Sequence, residues 1–236
     1  MHPFGWIPQS TKRLLDVGCN AGELLRDIAN TYPSIALAGV DVNPNALETA
    51  RKAVPSADIH QLSSTALPFA DGSFDYATFI EVIEHVPAED RRGLLEEIHR
   101  VLAPGCTLLL RCPHAGWFDW LDSNNLRFHF PWLYGKLVGT GRRDLGYSGG
   151  SKDVVWHHHF TEAEMLKLTH GLFELKQIHY GGFLLFPIVD ILRWPFYRKK
   201  MLDNPILGGL EKLANFDMGL NFGKASFTVL FELKRV

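Results

Sequence analysis

A chain of 236 residues, 46% of them hydrophobic, has enough apolar material for a sizeable core and fits one domain with insertions. Its formal net charge of −2 excludes a general attraction to polyanions, so nucleic-acid binding would have to rest on a local basic patch. Three cysteines, Cys19, Cys106 and Cys112, show no close pairing and predict a reducing, cytoplasmic setting, and the uncharged start Met1–Trp6 predicts no signal peptide. No window reaches the roughly 18 unbroken apolar residues of a membrane span.

Lys12 to Val17 reads as a first strand, followed by a helix from Gly22 to Tyr32 with Leu24, Leu25, Ile28 and Ala29 on one face. A second strand, Ala36 to Asp41, leads to a helix opened by Pro44, and Ile59 to Leu62 forms a short third strand. Phe74 to Glu81 is the fourth. Ala88 to Leu102 carries Leu94, Leu95, Ile98, Val101 and Leu102 as a helical stripe stopped by Pro104-Gly105, and Cys106 to Cys112 reads as a buried fifth strand. Such alternation predicts an α/β fold on a parallel sheet. From 113 to about 155 it lapses into a long segment rich in Trp, Phe, His, Gly and Asn, whose aromatic content argues against disorder. It returns with a helix from Thr161 to near Gly171 and a strand from Phe173 to Tyr180. A second insertion, 181–224, precedes a last strand from Ser226 to Lys234. The expectation is one domain over 1–236, with the two insertions forming a substrate lid.

Two spaced features describe the seat of a nucleotide-like ligand. Leu14-Leu15-Asp16-Val17-Gly18-Cys19-Asn20-Ala21-Gly22-Glu23-Leu24-Leu25 is a strand, a turn of small residues and a helix, and Ala38-Gly39-Val40-Asp41 is a strand ending in a carboxylate able to hold a ribose. A glycine turn alone serves many α/β folds, including dinucleotide-binding oxidoreductases. The order of the segments narrows it, because Leu67-Pro68-Phe69-Ala70-Asp71-Gly72-Ser73-Phe74-Asp75 follows. Together these segments resemble the class I S-adenosylmethionine-dependent methyltransferases, in their small-molecule and quinone O-methyltransferase-like branch. The resemblance covers about residues 12–112 and 156–180. It implies a Rossmann-like, seven-stranded, mostly parallel sheet with helices on both faces, and S-adenosylmethionine as cofactor with S-adenosylhomocysteine as product. It further implies that Asp16, Gly18, Cys19, Asn20 and Gly22 shape the methionine and ribose side, that Asp41 and Val42 meet the ribose, and that Ser64, Thr65 and Ala66 meet the adenine. The chain departs from the family pattern twice: Asn20 replaces a glycine, although Asn tolerates left-handed angles, and Gln61-Leu62-Ser63-Ser64 lacks the acid that often contacts adenine.

The carboxyl ends of the strands are where ligands meet in such a sheet. After the fourth comes Glu81-Val82-Ile83-Glu84-His85, whose Glu81, Glu84 and His85 would share a face if the segment were helical from Glu81. The pattern resembles both the quinone-biosynthesis O-methyltransferases and the small-RNA terminal 2′-O-methyltransferases, where the equivalent triplet is associated with a divalent metal. Two readings stand: these three as ligands of a divalent metal, with Trp156-His157-His158-His159 offering another donor, or Glu81 near the cofactor, Glu84 toward solvent, His85 capping a helix or contacting substrate without metal, and the three histidines structural or lining the substrate. Methyl transfer to a hydroxyl calls for a base, and His85 is the first choice with His114 the second.

The first insertion offers Trp117, Phe118, Trp120, Phe128, Phe130, Trp132 and Tyr134, then Arg142 and Arg143, suited to an aromatic, prenylated or glycosyl substrate or to a small second core. In the second, residues 183–200 are apolar with a basic end, as in an interfacial membrane segment, a lid or a dimer surface, and Pro187 and Pro195 are expected to break long helices. The expected function is methylation of a small or lipid-like molecule, most simply at oxygen. Metal-assisted RNA 2′-O-methylation and a non-catalytic cofactor-binding scaffold are the alternatives.

Overall fold

The computed structural model describes residues 7–132, 157–198, 201 and 204–236. Five strands and the helices between them follow the expected alternation: β1 (Arg13–Val17), α1 (Glu23–Thr31), β2 (Ala36–Asp41), α2 (Pro44–Ala53), β3 (Asp58–Gln61), β4 (Phe74–Ile80), α3 (Ala88–Val101) and β5 (Leu102–Pro113). Then come a short α4 (Leu126–His129), α5 (Glu162–Thr169), β6 (Phe173–Gly181), α6 (Leu185–Arg198), α7 (Pro205–Met218) and β7 (Thr228–Arg235). The seven strands form one sheet in the order β3-β2-β1-β4-β5-β7-β6. β1 lies parallel to β2 and to β4, with Leu15 opposite Ala38 on one side and Ala77 on the other. Four of its five residues are buried, as expected of a strand covered on both faces.

The chain direction across the sheet reverses between β1 and β4, and this switch point is where an open parallel sheet leaves a crevice at its carboxyl edge. Local chemistry fixes the elements around it. Asn43 caps α2, its Oδ1 accepting the Asn45 and Ala46 amides at 3.1 and 3.4 Å, with Pro44 in the first turn where no amide partner is needed. β5 begins earlier than expected. Pro104-Gly105 does not separate helix from strand but sits inside an irregularity of β5, where Phe74 pairs with Leu102 and Tyr76 with Thr107, and Gly105 takes a φ of 77°.

The chain falls into two compact units: residues 2–112, 162–178 and 230–236, called here the sheet unit, and residues 113–161 and 179–229, the inserted unit. Leu14, Leu15, Leu25, Ile28, Leu47, Tyr76, Phe79, Leu95 and Ile98 make up the centre of the sheet unit. In the inserted unit α6 and α7 pack on one another. α6 is continuous through both prolines, contrary to expectation. Pro187 lies in its first turn, where a missing amide costs nothing, and Pro195 lies inside its last turn. Asp217 of α7, 2% exposed, accepts the Phe183 and Phe186 amides at 2.8 Å and so satisfies orphan donors at the start of α6. Among the described residues no helix is long and apolar enough to cross a membrane. Tyr134, Arg142, Arg143 and Trp156 lie outside the described residues.

Candidate active site

The turn after β1 is built from three left-handed residues, Gly18 (φ 80°), Asn20 (φ 47°) and Gly22 (φ 79°). Gly18 has no alternative: a Cβ there would stand 2.3 Å from Val82 Cγ2. The Gly18 and Cys19 amides both donate to the Val40 carbonyl, at 2.8 and 2.9 Å, tying the turn to β2. Cys19 contributes only backbone, since its buried thiol points toward Gly39, and burial first, then the Asp16 and Asp41 charges, push its pKa up. Gly22 opens α1.

Asp41 closes β2, and both its carboxylate oxygens are oriented by backbone. Oδ2 accepts the Asn20 amide at 2.9 Å and Oδ1 the Asn43 amide at 2.8 Å. The carboxylate thereby holds Asn20 in its left-handed angle, so the replacement of a loop glycine is compensated from the neighbouring strand. Val42 beside it is an exposed apolar side chain. Asp16, 3% exposed, lies in β1 and receives the Thr78 hydroxyl on Oδ1 at 2.7 Å. Burial drives its pKa from 3.8 up to about 6, opposed by the Thr78 hydrogen bond and assisted by the Asp41 charge. Ser64, Thr65 and Ala66 form a turn on which Ser64 Oγ accepts the Ala66 amide at 3.3 Å.

Glu81 follows β4 with a φ of 54°, an angle that costs a non-glycine residue energy and tends to mark functional positions. It is therefore outside the short 3-10 turn Ile83–His85, and the single helical face expected for Glu81, Glu84 and His85 does not form. Its Oε1 accepts from Arg111 Nε at 2.8 Å. Glu84 is buried (1% exposed) rather than solvent-facing, and its Oε1 lies 4.0 Å from His85 Nε2. His85 keeps 29% of its side chain exposed.

The other expected histidines belong to the inserted unit. His114, 3% exposed, donates from Nδ1 to the Ser226 carbonyl at 3.0 Å, and its ring meets Tyr180 edge-on. That bond fixes its tautomer and places it among packed groups. His157 and His159 both turn to Asp122.

Several polar side chains that hold the segment leading into β4 escaped the sequence reading. Arg100 donates to the Leu67 and Phe69 carbonyls (2.9 and 2.8 Å) and to Asp71 Oδ1 (2.7 Å), while Glu97 Oε2 accepts the Leu67 amide at 2.9 Å. Asp75 Oδ2 accepts the amides of Lys12 and Arg13. The Leu67–Asp75 run is thus clamped at both ends to the framework. One signal was available: Arg111 is a charge inside an otherwise apolar strand, a position that demands a carboxylate partner.

Residues 15–110 match a family described as "Methyltransferase domain". The chain is similar to "O-methyltransferase resE" of Aspergillus sclerotiorum, 38% identical over 105 residues, which cover 42% of this chain and only 39% of that relative. Similarity to the "Ubiquinone/menaquinone biosynthesis C-methyltransferase UbiE" of Desulfotalea psychrophila is 28% over 180 residues, 73% of this chain and 69% of that one. Among solved structures, a methyltransferase described as S-adenosylmethionine-dependent, from Methanosarcina mazei, shares the fold with a TM-score of 0.62 at 19% identity, covering 99% and 96% of the two chains. The switch-point turn and the β2 carboxylate lie inside the matched segment, so residues 15–110 form a methyltransferase domain, and the seven-stranded order is that of the similar S-adenosylmethionine-dependent fold.

Proposed function

We propose that the protein transfers a methyl group from S-adenosylmethionine to a hydroxyl oxygen of a small or lipid-like molecule. The observation that carries this reading is Asp41. It is an anionic side chain oriented by two backbone amides at the carboxyl edge of β2, next to the left-handed turn of β1, and so suited to accept two ribose hydroxyls. Gly18, Asn20 and Gly22 bring backbone close to the methionine side, and Asp16 supports that turn from beneath through Thr78. Val42 offers an apolar contact to the nucleoside, and the Ser64–Ala66 turn supplies backbone and hydroxyl groups to adenine. The bound cofactor supplies an electrophilic methyl on a sulfonium, which leaves as a neutral thioether needing no proton.

What remains for the protein is to orient the acceptor and take its proton. We assign the base to His85, partly exposed after β4 with Glu84 Oε1 4.0 Å from its Nε2, and orientation to Glu81, which Arg111 holds in place. His114 is a positioning residue. The choice of acceptor is assigned to the aromatic residues of the inserted unit, and support for a small molecule comes from relatives named for O-methylation and for quinone C-methylation.

Transfer of labelled methyl from S-adenosylmethionine into cell extract tests the reading. Label is expected in the organic or small aqueous fraction, and label confined to nuclease-sensitive material would overturn it. With an acceptor in hand, His85→Gln is expected to lower kcat at least about 100-fold while cofactor affinity stays within about twofold.

A further inference from the structure

A second group of chemistry-bearing side chains lies in the inserted unit. Asp122 follows the short turn Asp119–Leu121, and His157 and His159 stand two residues apart in a non-helical stretch. The three side chains are only 5%, 10% and 6% exposed. His157 Nδ1 and His159 Nε2 both reach Asp122 Oδ2, the latter at 2.8 Å. One donor atom from each residue lies within 4.8 Å of the other two.

Surrounding hydrogen bonds hold these atoms in that arrangement. Asp122 Oδ1 accepts the Asn124 amide at 2.8 Å, which leaves Oδ2 facing the rings. Asn125 brackets His157, donating from Nδ2 to its carbonyl at 2.8 Å and accepting its amide at 2.9 Å. His159 Nδ1 donates to the His114 carbonyl at 3.1 Å. A ring whose second nitrogen donates to a backbone carbonyl is the usual support of a metal-binding histidine. Both nitrogens of His159 face oxygens, Nδ1 the His114 carbonyl and Nε2 the Asp122 carboxylate.

Two imidazoles and one carboxylate form a ligand set that suits zinc and iron(II) and leaves positions open. A tetrahedral ion with bonds of about 2.1 Å keeps its donors roughly 3.4 Å apart, so the His159–Asp122 contact would open by about half an ångström. Side-chain rotation supplies that much. His159 also lines a cleft of about 290 Å³ together with Asp119, Trp120, Asn125, His129 and His158, which gives water or an oxygen ligand access.

We propose that Asp122, His157 and His159 form a binding site for a divalent transition-metal ion, with at least one coordination position open to this cleft. It does not depend on the methyl-transfer reading.

The test uses the full chain stripped with chelator and then titrated with Zn²⁺ by calorimetry, with bound metal counted by mass spectrometry. One zinc per chain is expected, weakened at least about 100-fold in Asp122→Asn and in His159→Gln, while Glu174→Gln, an exposed carboxylate paired with Lys176, binds as the wild type does. Cobalt in place of zinc should give the visible absorption of a nitrogen and oxygen ligand set. A folded, stripped wild-type chain that takes up no zinc would overturn the proposal, whatever the variants do. So would undiminished binding in Asp122→Asn and His159→Gln, or loss of binding in Glu174→Gln.

Discussion

Polar side chains are used differently in the two units. In the sheet unit Asp41, Asp75, Glu97 and Arg100 each end on backbone amides or carbonyls, so a side chain from one element sets the path of another. In the inserted unit Asp217 does the same for α6, and Asp122 and His159 each touch backbone once, but Asp122, His157 and His159 also meet one another. A side chain bound to backbone shapes a loop, whereas side chains bound to one another leave atoms that a ligand can replace. Shaping dominates the first unit, and the second combines a capped helical pair with a cluster of that replaceable kind.

The sharpest way to break this comparison is at the tightest backbone approach. Gly18→Ala adds a Cβ 2.3 Å from Val82 at a left-handed angle and is expected to cost about 4 kcal/mol in urea unfolding. Adding Val82→Ala should return only part of this, because the angle stays strained. A full rescue would mean that the turn relaxes and that its shape is not fixed by the framework.

Next in size is the pH response of Asp16. Its pKa is raised from 3.8 to about 6 in the fold, so its favourable contribution is fully present below about pH 4 and is lost as pH rises through 6. The difference between the two ends is about 3 kcal/mol. Stability measured from pH 4 to 7 should therefore fall more steeply in the wild type than in Asp16→Asn, and parallel curves would show that the buried carboxyl is not the titrating group.

Asp217→Ala tests the equivalent device in the inserted unit. Loss of two amide bonds should cost about 2 kcal/mol and speed hydrogen exchange over residues 183–189 before it changes exchange in β1 or β2. The smallest effect is expected at Asn20. Asn20→Gly should change stability by no more than about 0.5 kcal/mol, because the relieved left-handed angle is offset by the greater freedom of unfolded glycine. A large gain would mean that Asp41 holds the residue under strain.

The sheet unit was legible in the sequence to within a few residues, because parallel strands and their helices write themselves as apolar runs and stripes and because Gly18, Gly22 and Asp41 sit at fixed steps along the chain. Contacts between distant residues were not. Thr78 beneath Asp16 and Arg111 on Glu81 pair across strands, and no local pattern announces such a partner. Glu81 was misplaced for a different reason: the step from Glu81 to His85 suits a helical face, but the chain turns left-handed at its first residue. The prolines of α6 misled in the opposite direction, since one falls where helices accept proline and packing against α7 carries the helix past the other. His157 and His159 were visible as candidates, but Asp122, thirty-five positions earlier, was not.

The strand order also has a consequence for biosynthesis. β7 lies between β5 and β6, although residues 182–227 separate β6 from β7 in the chain. On a ribosome β6 is made first and has no place in the sheet until residues 228–235 emerge. Until then β5 presents an open edge of unpaired amides and carbonyls. The nascent chain is therefore most exposed to misassembly, and most in need of chaperone cover, during the interval in which α6 and α7 are being synthesised.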